Sequence, residues 1–393
     1  MYIFHGGMIS LLNSVSVILL PLIAILRIPL KWIRGRSPVS IWTGAPILNM
    51  AINANAEKLI GARSYSVVAH TYFITNKFDF DLQRLLLGRL LNTQYRYIAF
   101  WAICLIADRV HVYLDGGILP NAKMRSFNKL ELFVYKLLGI KIFAWTYGGD
   151  CRTQRITQAL GEPNCCTDCT AQRSACICDE DLFLPRYEYA RNKCSAIFSM
   201  GDMIEYTPGS INALYFWPLD IDDGKYKNNK VQFVNSQTVR IVHAPNHRMF
   251  KGTRFIEAAV SELSAEGLAI ELLLVEKIPN DEALKIYQTA DIIVDQVMVG
   301  FHGFFALEAM AMGKPVVCFI RDPERYLIDT QNSPVINANP ENLKAVLRSW
   351  VKATRLERLN RGQQGRNFIE KYYSMEAFSK RLANAYIELG VMK

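Results

Sequence analysis

Short apolar runs recur along the chain, each followed by a glycine-bearing or polar turn and then by a stretch of helical period. The runs Val39–Trp42, Val67–His70, Arg109–Leu114, Lys141–Thr146 and Ala196–Ser199 read as one series of buried strands. A second series comprises Val239–Ala244, Ile270–Val275, Ala290–Asp295 and Val316–Ile320. Helices are predicted between them, among them Asp81–Ala107, Lys129–Leu138, Arg186–Lys193, Arg254–Glu266 and Asp281–Thr289, with Pro340–Ala353, Arg355–Tyr373 and Met375–Leu389 closing the chain. Near-continuous apolar strands alternating with helices argue for α/β domains built on doubly wound parallel sheets. Ile221–Lys230, rich in Asp, Gly, Asn and Lys, reads as the linker between two such domains, at 37–220 and 231–375, with a last helix over 376–393.

The pattern breaks at the start. Residues 1–36 carry an apolar stretch, Ile9–Trp32, whose uninterrupted core Val15–Leu26 contains Pro21 and is shorter than the about 18 residues of a spanning helix. Arg27, Lys31, Arg34 and Arg36 follow, a bias that places the downstream chain in the cytoplasm. No basic leader precedes the stretch and no small-residue cleavage site follows it, so a secretory signal is not expected. Three readings stay open: an interfacial anchor on an anionic membrane surface, a tilted transmembrane helix, or a helix buried on the protein.

Composition narrows the partners. The 393 residues are 51% hydrophobic and 21% charged with a net charge of +9, which suits globular domains that meet anionic molecules. No helix-turn-helix, RNA-binding sheet motif or Lys/Arg block accompanies that charge, so nucleic acid is not an expected partner. A phosphorylated small molecule fits better. The loop Pro245–Thr253 carries Arg248 and Lys251 just before a helix, where a guanidinium fork and an ammonium can hold a diphosphate. Val299–Phe305 forms a glycine loop feeding a second helix start, and Glu308 one turn later can accept hydrogen bonds from a ribose. In the first domain, Gly44 opens the loop after the first strand, and Tyr147-Gly148-Gly149-Asp150-Cys151-Arg152 follows a later one. Asp150 can equally cap a turn.

Nine cysteines are present, and five crowd into residues 151–180 as Cys165-Cys166-x2-Cys169-x6-Cys176-x-Cys178. Cys166, Cys169, Cys176 and Cys178 are candidate ligands of a structural zinc ion; free or redox-active thiols and disulfides are the other readings.

The run Glu308-Ala309-Met310-Ala311-Met312-Gly313-Lys314-Pro315-Val316-Val317 resembles the donor-site signature of retaining nucleotide-sugar glycosyltransferases of the GT-B fold, glycosyltransferase family four and its relatives. The resemblance implies two Rossmann-like domains facing a cleft, with the last helix packed back on the first domain. It implies a UDP- or GDP-sugar donor whose ribose is held by Glu308 and whose diphosphate meets Arg248, Lys251 and the backbone of Gly303, Phe304 and Phe305. Gly44 and His302 would lie beside that donor, and Asp150 and Tyr147 would line the sugar and acceptor side. No catalytic metal is required. The chain departs from the family twice. Gly300 stands where a first glutamate is usual, with Asp295, Gln296 and His302 as possible substitutes, and Tyr147 replaces a histidine. Those departures keep open a non-catalytic sugar-nucleotide-binding or scaffold subunit. The apolar, basic N-terminus joined to the resemblance suggests a lipid-linked or glycan acceptor at the cytoplasmic face of the plasma membrane, with the enzyme peripheral or monotopic. Oligomeric state is not legible.

Overall fold

The computed structural model describes residues 2–72, 75–85, 94–121, 126–167, 169–173, 175–212, 217–222, 224–226 and 238–392. Among them the apolar runs form two parallel sheets. The first contains β1 (Val39–Thr43), β2 (Arg63–Val68), β3 (Phe80–Asp81), β4 (Arg109–Tyr113), β5 (Lys141–Trp145), β6 (Ala196–Ser199) and β7 (Ile211–Asn212), in the order β3-β2-β1-β4-β5-β6-β7. The second contains β8 (Val239–His243), β9 (Ile270–Leu274), β10 (Ile292–Val294), β11 (Val316–Cys318) and β12 (Ile336–Asn337), in the order β12-β11-β10-β8-β9. Strand order reverses between β1 and β4 in one sheet and between β8 and β10 in the other. At such reversals the loops leaving the carboxyl ends diverge and open a crevice, the usual ligand position in sheets of this kind.

Several elements differ from their predicted bounds for physical reasons. β2 begins at Arg63 because its serines are buried with partners: Ser64 Oγ donates to Glu57 Oε2 at 2.9 Å and Ser66 Oγ to Asp79 Oδ2 at 2.7 Å. The helix expected from Arg186 starts at Glu180, passes through Pro185 and is capped by Asp179, whose carboxylate accepts from the Asp181 amide. The helix expected over Asp81–Ala107 is observed as Gln94–Ile106, with Phe80–Asp81 in β3; residues 86–93 lie outside the described residues, as do 214–216, 223 and 227–230 near the expected linker.

The apolar N-terminal segment is a single helix, Tyr2–Ile33, running through Pro21 and Pro29. It lies along Gln94–Ile106. Ile9, Ser16, Ile23 and Arg27 form the buried seam, spaced by seven and then four residues as one helix face requires. Arg27 donates to the Cys104 and Ala107 carbonyls, and Arg34 and Lys31 pair with Asp108. Tyr97 Oη meets Asn13 Oδ1 at 2.8 Å. On the opposite side Leu11, Ile18, Leu22 and Ile25 are exposed, Ile18 by 77%, and Trp32 at the end by 85%.

The last helix, Met375–Glu388, packs on the first sheet through a buried polar chain. Trp145 Nε1 donates to His111 Nδ1 at 3.0 Å, which leaves the His111 proton on Nε2 facing Tyr386 Oη, also at 3.0 Å. Tyr386 in turn donates to Glu57 Oε1 at 2.8 Å. Burial keeps the His111 imidazole below its usual pKa. Burial opposes ionisation of Glu57 too, yet His111 and the donors of Ser40 and Trp42 hold its carboxyl well below the ordinary range.

Between the sheets, the carboxyl-end loops touch. Phe301, from the loop after β10, lies where a Cβ on Gly201 would be 2.5 Å from its ring, and Gly201 follows β6 with φ +57°. Tyr326 Oη donates to Glu205 Oε1 at 2.9 Å, and Arg321 reaches the Leu160, Gly161 and Pro163 carbonyls. The carboxyl-end loops of the two sheets therefore face one another.

Candidate active site

At the second sheet's reversal point, two loops converge. The loop after β8 forms a one-turn helix, Arg248–Lys251, ended by Gly252 at φ +79°. A side chain on Gly252 would strike Val297 and Met298 of the neighbouring loop at 2.6 and 2.7 Å, so glycine is what allows the two loops to close together. The closure sets Lys251 against the end of β10. Its Nζ lies 2.7 Å from Asp295 Oδ1, and Asp295 Oδ2 accepts from the Gly303 amide at 2.6 Å. Gly303 is the N-cap of the helix Phe304–Ala311 and offers no capping side chain, so the amides of that first turn point at the mouth of the crevice. An ammonium and a helix N-terminus thus converge on one buried carboxylate, and these are donors of the kind that can meet a diphosphate.

Glu308 sits one turn further along, almost fully buried, with Oε1 accepting from Asn280 Nδ2 at 2.9 Å. Burial pushes its carboxyl up to about 7 against hydrogen bonds from Asn280 and Tyr226. Its helix is held from behind by Arg355–Tyr372. Gly362 of that helix passes so close that a Cβ there would lie 1.8 Å from the Gly313 carbonyl, and Arg366 Nη1 donates to the Ala311 carbonyl at 2.7 Å.

Arg248 is not brought into this group. Its guanidinium is half-exposed and pairs with Glu257 and, at 3.7 Å, Glu276. Phe304 and Phe305 do belong to it, with Lys251 Nζ 5.6 Å from the Phe305 ring centroid. His243 is structural: Nδ1 faces the Val294 carbonyl at 2.8 Å and Nε2 faces Thr253 Oγ1 at 2.9 Å, while burial and then Lys251 lower its pKa to about 4. His302 is buried with Nε2 2.9 Å from Tyr373 Oη, and burial lowers its pKa to about 4. Gln296 donates to the Phe301 carbonyl. Of the three side chains considered as substitutes at Gly300, Asp295 alone joins Lys251. Gly300 itself has φ +98°, and a Cβ there would meet Arg321 Cβ and Nε at 3.0 Å, so a glutamate does not fit this backbone.

The first sheet's reversal point is built from hydrogen-bonded side chains. Gly44, φ +114°, leaves β1 so close to the loop after β4 that a Cβ would be 2.6 Å from the Gly116 carbonyl. Asp115 precedes Gly116, partly exposed, and accepts from Tyr147 Oη at 2.7 Å. Sequence reasoning passed over Asp115; its signal was an acid between the end of a strand and a Gly-Gly pair. Asp150 is fully buried, its Oδ1 accepting from the Tyr147 and Gly148 amides at 2.9 and 3.0 Å. Burial, then the neighbouring Asp115, raise its carboxyl to about 7. Arg152 forms a buried fork to Asp202 with two 2.6 Å bonds. Tyr147 thus faces the crevice beside Asp115, while Asp150 and Arg152 shape the turn beneath it.

The cysteine insert carries no disulfide. Cys165, Cys166, Cys169, Cys176 and Cys178 line one pocket with Phe250. Among the described residues no three His, Cys, Asp or Glu side chains stand at metal-ligand geometry, so the expected zinc tetrathiolate is not formed as the thiols are placed.

No family model matches the chain, and no curated protein matches it. Solved structures do. The sucrose-phosphate synthase from Thermosynechococcus elongatus superposes with a TM-score of 0.56 at 12% identity, covering 90% of this chain and 99% of that one. The catalytic domain of starch synthase IV from Arabidopsis thaliana, bound to ADP and acarbose, gives 0.57 at 10% identity over 90% and 99%. HepE from Anabaena, in complex with UDP-glucose, gives 0.54 at 10% identity over 90% and 100%. The fold is GT-B. The two parallel sheets of this chain match these neighbours at the level of fold, as the donor-site resemblance implied.

Proposed function

We propose that this GT-B chain is a glycosyltransferase that moves a sugar from a nucleoside diphosphate, UDP or GDP, to an acceptor hydroxyl. One observation carries the reading: Lys251, Asp295 and the Gly303 amide meet at the second reversal point, with Glu308 buried one helical turn away. In the reaction the bond from the anomeric carbon to the diphosphate oxygen breaks and its electron pair stays on the diphosphate. The acceptor oxygen bonds the same carbon, and its proton leaves to a base. Lys251 and the helix end meet the charge that develops on the leaving group, a kind of contact whose removal typically costs about 10²–10³-fold in kcat. The ribose replaces Asn280 or Tyr226 as the partner of Glu308.

The donor-site run supports retention at the anomeric carbon, with the leaving diphosphate taking the acceptor proton. Asp115 favours a second reading. A partly exposed carboxylate at the first reversal point, held by Tyr147, would serve as the general base of an inverting displacement. Proton NMR of the fresh product from a UDP- or GDP-sugar distinguishes them, since the anomeric coupling reports configuration directly. Absence of turnover together with saturable nucleotide binding would favour the non-catalytic binding subunit instead.

The Tyr2–Ile33 helix supports a monotopic placement on the cytoplasmic membrane face and a lipid-linked acceptor. One seam of it is docked on protein and the rest is apolar and flanked by basic residues, although Gly7–Ile33, unlike the shorter core read from the sequence, is long and apolar enough to cross a membrane. Flotation of the full chain with anionic vesicles tests this. Ile18→Glu with Ile25→Glu should abolish flotation and leave nucleotide binding intact; flotation by that variant would defeat the placement.

A further inference from the structure

The donor site leaves unused the thiol pocket at the domain boundary. Its position is informative. Cys165 belongs to the second sheet's apolar core, the cluster that also holds Val297 and Met298, although its chain segment leaves the first sheet. Thr170 Oγ1 lies 3.0 Å from Met249 Sδ, and Phe250 walls the pocket. Met249 and Phe250 are the residues immediately before Lys251. The thiols therefore gather against the back of the loop whose front carries the diphosphate cation.

The pocket has the parts of a thiolate metal site. Cys166 and Cys169 flank a turn closed by the Cys169 amide donating to the Cys166 carbonyl at 3.3 Å, the tight bend that brings two ligands of a Cys-x2-Cys pair to one side. Cys176 and Cys178 contribute sulfurs 3.3 Å apart, and the Arg173 amide donates to Cys178 Sγ at 3.3 Å, a bond that stabilises charge on sulfur. Four soft, anionic donors select Zn²⁺ among common divalent ions. Since the thiols are not at ligand geometry as they stand, closing the site requires side-chain rotation in this insert, beside Phe250 in the pocket wall.

We infer that Cys166, Cys169, Cys176 and Cys178 bind one zinc ion, and that this ion, through Phe250, fixes the Arg248–Lys251 turn in its diphosphate-binding position. Each coordinated thiol loses its proton to solvent on binding and no redox change takes place. The second half of the inference rests on the donor-site reading; the first half does not.

The test uses the full chain, purified under reducing conditions and supplied with Zn²⁺ alone. Metal analysis should give about one zinc per chain, and Co²⁺ in its place should show thiolate-to-metal charge-transfer absorption. Cys166→Ser with Cys169→Ser should lose both signals. Circular dichroism of that double variant checks that the sheets persist; if they do not, Cys178→Ser alone, which keeps three thiols, should weaken zinc retention against a competing chelator. Zinc removal should weaken UDP or GDP binding about fivefold or more, and Phe250→Ala should do the same with zinc still bound. A reduced protein that takes up no zinc, or whose cysteines are found as native disulfides, would overturn the site. Stoichiometric zinc with unchanged nucleotide affinity on its removal would overturn the coupling, while absent nucleotide binding in the zinc-loaded protein would instead count against the donor-site reading.

Discussion

The two reversal points have the same topology and opposite chemistry. At the first, Gly44, Asp115, Tyr147 and Asp150 form an acid-bearing wall in which Asp150 is tied to backbone amides and Asp115 to the Tyr147 hydroxyl. At the second, an ammonium and a helix N-terminus share a single buried carboxylate. A preorganised anion site needs donors held without a permanent acceptor, and a carboxylate that can yield is a placeholder for a phosphate. A wall that meets a neutral sugar or hydroxyl needs donors and acceptors already oriented by one another. On the proposed reading, this difference puts the diphosphate at the second sheet and the acceptor at the first.

The largest effect that can break this assignment is Lys251→Ala. It removes the cation, and turnover should fall about 10²–10³-fold with nucleotide affinity also reduced; initial rates and calorimetric titration with UDP and GDP read both. An unchanged rate would move the diphosphate elsewhere. Next comes Gly300→Glu, which restores the residue usual at this position in the family. Because φ is +98° and Arg321 crowds the site, the expected outcome is a loss of about 1–3 kcal/mol in stability, measured by denaturant unfolding, with no gain in activity.

A smaller effect concerns the helix that ties the chain end to the first sheet. Tyr386→Phe deletes the donor to Glu57 and the acceptor for His111, and should cost about 1–3 kcal/mol, since both are buried. The Glu57 carboxyl is depressed, so the stability it contributes is complete above the unfolded pKa and is lost as pH falls through the lower folded value. Wild type should therefore lose more stability than Glu57→Gln as pH drops below about 4.5. The smallest expected effect is at Glu308. With its carboxyl near 7, only the ionised form accepts from both ribose hydroxyls, so nucleotide affinity should rise between pH 6 and 8 by up to about tenfold. Glu308→Gln should flatten that profile. A wild-type profile already flat would remove Glu308 from the ribose contact.

The sheets were legible because parallel strands buried on both faces are written as apolar runs, and the donor helix because a glycine loop, helix formers and Gly313 bracket it. β2 was displaced because Ser64 and Ser66 look exposed until their carboxylate partners are known. The short edge strands β3, β7 and β12 carry too few residues to show a period. In the candidate site, Lys251 and Glu308 were found from local motifs, whereas Asp295 stood only as one of three alternatives and Asp115 was passed over. Each owes its role to a partner far along the chain, Lys251 for one and Tyr147 for the other. Arg248 was grouped with Lys251 as part of one basic loop, but its guanidinium is drawn away by Glu257 and Glu276, carboxylates from other elements that the local motif does not show.

Hydrogen–deuterium exchange on the full chain with and without saturating UDP or GDP tests the assignment most directly. Protection should appear in peptides covering 247–252 and 295–308, and be weak or absent over 43–47, 113–117 and 147–152. Protection confined to the first sheet's loops, or none in either set at a nucleotide concentration that saturates binding, would contradict the placement of the diphosphate at the second reversal point.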